Sequence, residues 1–264
     1  MRVGSLEIHP VRDGWARMPA GDLLRFTGDR GDPWLPHEQF IAPDGTIELS
    51  LGGFLVRTGD RVVIIDAGAG RIDNDHYHGG QFLESLAALA VTPDDVTDVV
   101  FTHLHFDHVG WATRQGEVVF RNATYRCNAR DWAHFVGPDP GATRKLSPLA
   151  GQLQTWDASG PLLAGIDVLA APGHTPGSTV VVISSGSERA LLLGDVVHCP
   201  VQLVDDEWAI MGDVDPDLAR RTRNELAAEL ESLGTVAAGA HFAGMRFGRL
   251  LPASGRRYWS TVGI

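Results

Sequence analysis

Between Thr102 and His108 the chain reads Thr-His-Leu-His-Phe-Asp-His, directly after the apolar run Val99–Phe101. In an extended segment alternate side chains share a face, which would point His103, His105 and Asp107 the same way. His108 then turns with the chain toward Val109-Gly110. Three imidazoles and a carboxylate within six residues offer nitrogen and oxygen ligands for zinc or a similar first-row metal. As a merely polar loop the same side chains would be costly. Buried without a cation, they would need many hydrogen-bond partners or shifted protonation.

Three further residues stand alone. His174 sits in Ala171-Pro172-Gly173-His174-Thr175-Pro176-Gly177, where Pro176 and Gly177 suit the centre of a tight turn. Asp195 follows the run Ala190–Leu193, with Gly194 letting the backbone pass close to a neighbour. His241 follows the run Thr235–Ala238. Taken singly, each reads as well as a turn aspartate or a hydrogen-bonded histidine. Each nevertheless lies just past the end of an expected strand, where a sheet-based enzyme collects pocket residues. With the motif they make five His and two Asp, too many for one zinc and suited to two.

The elements that must position these groups are legible in part. Strands are expected at Val3–Val11, Phe54–Arg57 and Arg61–Asp66, the last two joined by the turn signal Gly59-Asp60. Residues 15–50, rich in Gly, Pro and aromatics, read as a long loop region of the kind that forms pocket walls. A helix is expected over Gln81–Ala90, strands over Val99–Thr102, Val118–Phe120 and Thr124–Cys127, and a helix near Ala129–Phe135. Strands follow at Asp167–Ala170, Thr179–Ser184 and Ala190–Leu193. The strongest helical pattern runs from Pro216 to Leu233. Leu218, Thr222, Leu226 and Leu230 recur every four residues with Leu233 on the same flank, and Arg and Glu cover the rest. Asp215 suits its cap, Pro216 its first position and Gly234 its end. Strands and helices in both halves, without strict alternation, suggest two packed sheets with helices outside.

Composition narrows the partners. The chain has 264 residues, 22 Lys+Arg against 33 Asp+Glu and a formal net charge of −11, with no basic cluster longer than two arginines. Such a chain repels phosphate backbones, so no nucleic-acid partner is expected. The charge-free stretch Val168–Ser187 is broken by Pro172, Pro176 and His174 and cannot span a membrane. The first residues lack the apolar run of a signal peptide, and the two cysteines, Cys127 and Cys199, make no disulfide framework. The expectation is one cytoplasmic domain over residues 1–264, acting on a small molecule, with a homodimer allowed.

His-X-His-X-Asp-His followed by single His, Asp and His residues resembles the metallo-β-lactamase superfamily of binuclear metallohydrolases, over roughly residues 50–245. The resemblance implies an αβ/βα four-layer sandwich, an α/β fold with metals at one edge of two sheets. It implies one metal on His103, His105 and His174, a second on Asp107, His108 and His241, and Asp195 bridging them. Asp66, in Ile64-Ile65-Asp66-Ala67-Gly68, would support a ligand from behind, or simply end a strand in a turn. Zinc is the first expectation for both ions, with manganese, iron or cobalt as alternatives.

Within the superfamily, Asp195 argues against lactamases with a Cys ligand, and His105 against the flavin-linked diiron branch. Only 23 residues follow His241, too few for the helical region of a glyoxalase II-like enzyme, and the acidic chain shows no basic exosite of a nuclease. The stretch His103–Gly110 is similar to N-acyl homoserine lactonases and methyl parathion hydrolase-like proteins. Lactonases usually place Tyr three residues after the bridging Asp, where this chain has His198. The expected activity is hydrolysis of neutral esters or lactones, or of phosphotriesters, by a metal-bridging hydroxide. Asp107 would move the proton, and His198 would either donate to the substrate oxygen or be a buried structural histidine. Phe106, Trp34, Trp111 and Phe242 are candidate pocket walls, and no cationic cluster is expected near the motifs. His9, His37, His76, His78 and His134 fit no motif. The alternatives are a nucleotide phosphodiesterase of the same fold and a non-catalytic metal-containing binding protein.

Overall fold

In a computed structural model, which describes residues 1–263, side-chain alternation along the strands builds two sheets with an apolar layer between them. In Arg61–Ile65, Val63 and Ile65 face inward, whereas Ile64 packs on the other side with Phe82 and Leu86. In Thr179–Ser185, Val181 and Ile183 join the same inner layer, while Val180 and Val182 face Leu226, Ala227 and Leu230 of the helix Pro216–Leu233. Each sheet is thus apolar on both faces and covered by helix outside, which gives the four-layer αβ/βα sandwich.

The first sheet runs through Arg2–Val3, Leu6–Pro19, Thr46–Thr58, Arg61–Ile65, Asp98–Val100, Thr124–Asn128 and Leu153–Trp156. The second runs through Gly160–Leu163, Ile166–Ala170, Thr179–Ser185, Glu188–Leu192, Val236–Ala238, Gly248–Ala253 and Arg256–Thr261. Arg61–Ile65 pairs parallel with Asp98–Val100, and Glu188–Leu192 pairs parallel with Val236–Ala238. Segments leaving the ends of these four strands carry Asp66, the histidine motif, Asp195 and His241.

Residues 15–50 depart from the expected loop. Leu6–Pro19 and Thr46–Thr58 are long strands paired antiparallel almost throughout, and the Gly and Pro residues lie mostly between them. Their register shifts between Arg12 and Gly14, leaving Asp13 as the extra residue of a bulge. That bulge turns Asp13 into the protein, where it accepts from the backbone N–H groups of Ala69, Gly70, Gly80 and Phe82 and from Trp111 Nε1. One carboxylate therefore fixes the loop after Asp66. It also claims Trp111, which is 3% exposed and belongs to the core, not to a pocket wall.

The helix Pro216–Leu233 has the expected cap, Leu218 N–H donating to Asp215 Oδ1 at 3.0 Å, and ends at Gly234 in the left-handed region. Its buried face is shifted from the expected stripe. Ala219, Arg223, Leu226, Ala227 and Leu230 point inward, while Leu233 is exposed. Arg223 is thus a buried residue, not part of the solvated face. The hairpin Gly248–Ala253 and Arg256–Thr261 was not expected, although Ser254 and Gly255 both have positive φ, as a two-residue turn of this kind demands. Among the described residues no helix is long and apolar enough to cross a membrane.

Cys127 and Cys199 are free and buried, and burial pushes both thiols up to about 12. The native protein should therefore resist a disulfide reagent at pH 8 and release two thiols per chain only when unfolded. Rapid reaction of either cysteine in the folded protein would contradict this packing.

Candidate metal centre

The motif does not continue as one extended face. The strand ends at Val100, and Phe106–Val109 forms a single helical turn in which His108 and Val109 N–H donate to His105 O. His103 and His105 stay with one group, and the turn carries Asp107 and His108 to another. The structure gathers ligand-type atoms in overlapping clusters: His103, His105, His174 and Asp195, then Asp107, His108 and His241, each within 4.8 Å of one another. A third grouping, Asp195, His198 and His241, overlaps both.

Asp195 lies between the two sets. Its Oδ1 is 3.1 Å from both His108 Nε2 and His241 Nε2, and its Oδ2 is 3.5 Å from both His103 Nε2 and His174 Nε2. The backbone reaches this position through Gly194, at φ +50°, where a Cβ would lie 2.7 Å from the Thr102 Cβ. Only glycine avoids that clash.

The hydrogen bonding of the donor set fits a cation. His108 Nε2 and Asp195 Oδ1 are buried and face each other, yet neither makes a hydrogen bond. Polar atoms left so, in the middle of converging imidazoles, fit a divalent cation better than a packed core. Electrostatics agree. Burial drives His103 well below the ordinary histidine range and His105 and His198 down to about 4, so these present neutral nitrogens. Burial also opposes charge on His108 and His241, but Asp195 and neighbouring carboxylates overcome it and raise both. Burial would raise Asp195, yet His108, His241 and His198 hold it well below the carboxylate range. Without metal, protons on the second cluster carry the charge that a cation would carry.

Four of the rings are oriented from behind. His108 Nδ1 lies 2.9 Å from Asp66 Oδ2, and Asp66 also accepts from Thr102 N–H and Thr102 Oγ1. His103 Nδ1 meets Thr102 Oγ1 at 3.2 Å, and His241 Nδ1 meets the Ser50 carbonyl at 2.9 Å. His174, on the loop closed by Ser178 N–H donating to Thr175 O, has its Nδ1 2.9 Å from Asp213 Oδ1. Asp213 is in turn paired with Arg223. No sequence pattern marked Asp213. Arg223 was discoverable as a charge on an apolar helical stripe.

The candidate pocket residues separate. Phe106, 49% exposed, and His105 line a cavity of about 810 Å³ with Leu104, Val109, Phe135 and Ala142. Arg144 and Lys145 also line it, correcting the expectation of no cations nearby, although Lys145 Nζ is engaged by the carbonyls of Gly110 and Thr113. Phe242 is buried and borders a smaller cavity of about 280 Å³ beside His198 and His241. Trp34 packs 4.4 Å from Trp208 and lines neither. His198 is buried with Nε2 3.0 Å from Asp195 Oδ2 and no partner for Nδ1. Its inner nitrogen faces the shared carboxylate.

Comparison with known proteins accords with this geometry. The family model of the metallo-beta-lactamase superfamily matches residues 53–241. The N-acyl homoserine lactonase of Bacillus thuringiensis is 21% identical over 196 residues, covering 68% of this chain and 76% of the relative. The solved structure of AidC, described as a dizinc quorum-quenching lactonase in complex with a product, superposes with a TM-score of 0.87 at 24% identity, covering 100% of this chain and 97% of that one. AbOPH, described as a hydrolase in the beta lactamase superfamily, gives 0.86 at 25% identity with the same coverage.

Proposed function

Because the chain belongs to the metallo-β-lactamase superfamily, we propose that it is a binuclear, zinc-dependent hydrolase that opens neutral small-molecule lactones and cleaves related esters. The observation that carries this reading is the pair of donor clusters sharing Asp195 beside a cavity walled by Leu104, Phe106, Val109 and Phe135. His103, His105 and His174 would hold one ion and Asp107, His108 and His241 the other, with Asp195 between them. Two ions held here would lower the pKa of a shared water from ~15.7 toward ~7 and polarise the substrate carbonyl.

The chain's own groups supply the rest. Asp107 is the more exposed of the two carboxylates, at 12% against 4% for Asp195. It accepts the proton of the attacking water as the new C–O bond forms, and returns it to the ring oxygen as the old C–O bond breaks. His198 Nε2, directed at Asp195, steadies the shared carboxylate. The apolar wall takes an acyl or alkyl substituent, and the name of the Bacillus thuringiensis relative favours a lactone head group. Phosphotriesters share the neutral charge this pocket suits.

A side-by-side assay of the zinc-loaded protein tests the reading. Lactones and aryl esters should be turned over at least about tenfold better than a phosphodiester of similar size, because the wall of Leu104, Phe106, Val109 and Phe135 gives an anion no partner, Lys145 is engaged by two carbonyls and Arg144 is exposed to solvent. Preference for the phosphodiester would favour a nucleotide phosphodiesterase. Two bound metals without turnover of any neutral ester, lactone or phosphotriester would favour a binding protein.

A further inference from the structure

The helix Ala129–Phe135 follows the strand Thr124–Asn128, which pairs parallel with Asp98–Val100 and so brings the helix beside the histidine motif. Its first turn carries Asp131, a fully buried carboxylate that the hydrolytic step does not use. Asp131 Oδ2 accepts from Thr175 Oγ1 at 3.0 Å, and Oδ1 accepts from Gly177 N–H at 2.6 Å. Both donors belong to the turn that follows His174. The approach is close: a Cβ on Gly177 would lie 2.8 Å from Asp131 Oδ1 and from its backbone nitrogen, so no larger residue fits there. Thr175 Oγ1 also meets Ser178 Oγ at 2.8 Å, and Thr179 N–H donates to the Thr102 carbonyl at 3.0 Å, just before His103.

Two further contacts extend this support to the other histidines of the same cluster. Burial pushes the Asp131 carboxyl up from the ordinary carboxylate range, against hydrogen bonds from Thr175, Gly177 and the backbone of Leu104, which stands between His103 and His105. Phe135, one helical turn further on, packs its ring edge-on against His105 with centroids 5.3 Å apart. Among the described residues no hydrogen bond joins this helix to Asp107, His108 or His241, which are held by other elements. A buried carboxylate without an ion pair costs stability, and Asp131 has none among the described residues. What it holds in return is the first cluster alone.

We propose that Asp131 is a positioning residue for one metal only: it fixes the turn that carries His174 against His103 and His105, and so sets the affinity of this cluster and not of the other. His174 Nε2 and His103 Nε2 each lie 3.0 Å from His105 Nδ1, so a small rotation of the turn would withdraw one of three donors from their common centre. Asp213 holds the His174 ring from behind, whereas Asp131 holds the backbone that delivers it. The inference rests on the binuclear reading above, not on the choice of substrate.

Variants that keep a single cluster test it, with zinc affinity read by a fluorescent indicator. His241→Ala leaves His103, His105 and His174 to hold an ion, and His103→Ala leaves Asp107, His108 and His241. Adding Asp131→Ala should weaken zinc binding about 10–100-fold in the first background and leave it unchanged in the second. Asp131→Asn, which keeps an acceptor for Gly177 N–H, should recover part of that loss. Equal weakening in both backgrounds would make Asp131 a general support of the fold and overturn the proposal, as would an unchanged affinity in the first. If Asp131→Ala does not fold, Thr175→Val removes one donor from the carboxylate and should weaken the first background alone, with the same outcomes overturning the proposal. If the parent protein binds fewer than two zinc ions, the binuclear reading fails by itself. The comparison in His241→Ala then decides on Asp131, and an absence of zinc binding there overturns its role as well.

Discussion

Asp195→Ala is expected to lose metal from both clusters at once and to lower kcat/KM by about three orders of magnitude or more. The expectation follows from how its two oxygens are shared. Oδ1 serves His108 and His241, and Oδ2 serves His103, His174 and His198. Removing the carboxylate takes a ligand from each set and leaves several buried imidazoles without an anion among them. His103→Ala should behave differently, because Asp107, His108 and His241 remain intact. Elemental analysis should therefore find two metals per chain in the parent, about one in His103→Ala, and well under one in Asp195→Ala. Both variants should be inactive, the first for want of one ion and the second for want of both. One tightly held ion in the parent, with full activity in Asp195→Ala, would sink the binuclear reading.

The ligand types were legible because their chemistry is compressed into sequence. Four donors between His103 and His108 leave few readings, and His174, Asp195 and His241 each follow a strand that betrays itself by apolar runs. What escaped was geometry that spacing does not encode. Asp107 was read on an extended face, but the chain folds into a helical turn after His105, and that turn divides the donors between two clusters. Residues 15–50 read as loop because they are rich in Gly, Pro and aromatics. Their two ends are strands paired with each other, Trp15 with Ser50 through Pro19 with Thr46, and the pairing is a long-range contact that composition does not reveal.

The pocket walls show the same limit. Aromatic residues near a motif are as often core as surface, and only position in space separates them. Trp111 is three residues from His108 yet turns inward to Asp13, whereas Phe106 and the distant Phe135 meet at the cavity. Lys145 carried no signal, since it reaches the cavity from the separate helix Pro140–Leu146. Arg223 did carry one. A single arginine among Ala219, Leu226, Ala227 and Leu230 marks a buried charge, and a buried charge implies a partner.

That partner links the long helix to the metal centre, and breaking the link should be the largest single stability effect in this region. Arg223 sends Nε to the Val196 carbonyl at 2.8 Å, one terminal nitrogen to the Trp208 carbonyl at 2.9 Å and the other to Asp213 Oδ2 at 3.4 Å. Asp213, its side chain fully buried, orients His174 Nδ1 with its other oxygen. Arg223→Met keeps much of the volume but leaves the carboxylate and two carbonyls without their donor. It should cost about 3–5 kcal/mol in denaturant unfolding, the range for stranding one member of a buried ion pair. Asp213→Ala should weaken zinc binding about 10–100-fold by releasing the His174 ring, measured by competition with a chromophoric chelator. Combining Arg223→Met with Asp213→Asn should cost less than the two single changes together, because the stranded charge is removed as well. Unfolding of Arg223→Met at the parental midpoint, or strict additivity in the double variant, would show that helix and metal centre are not coupled through this pair.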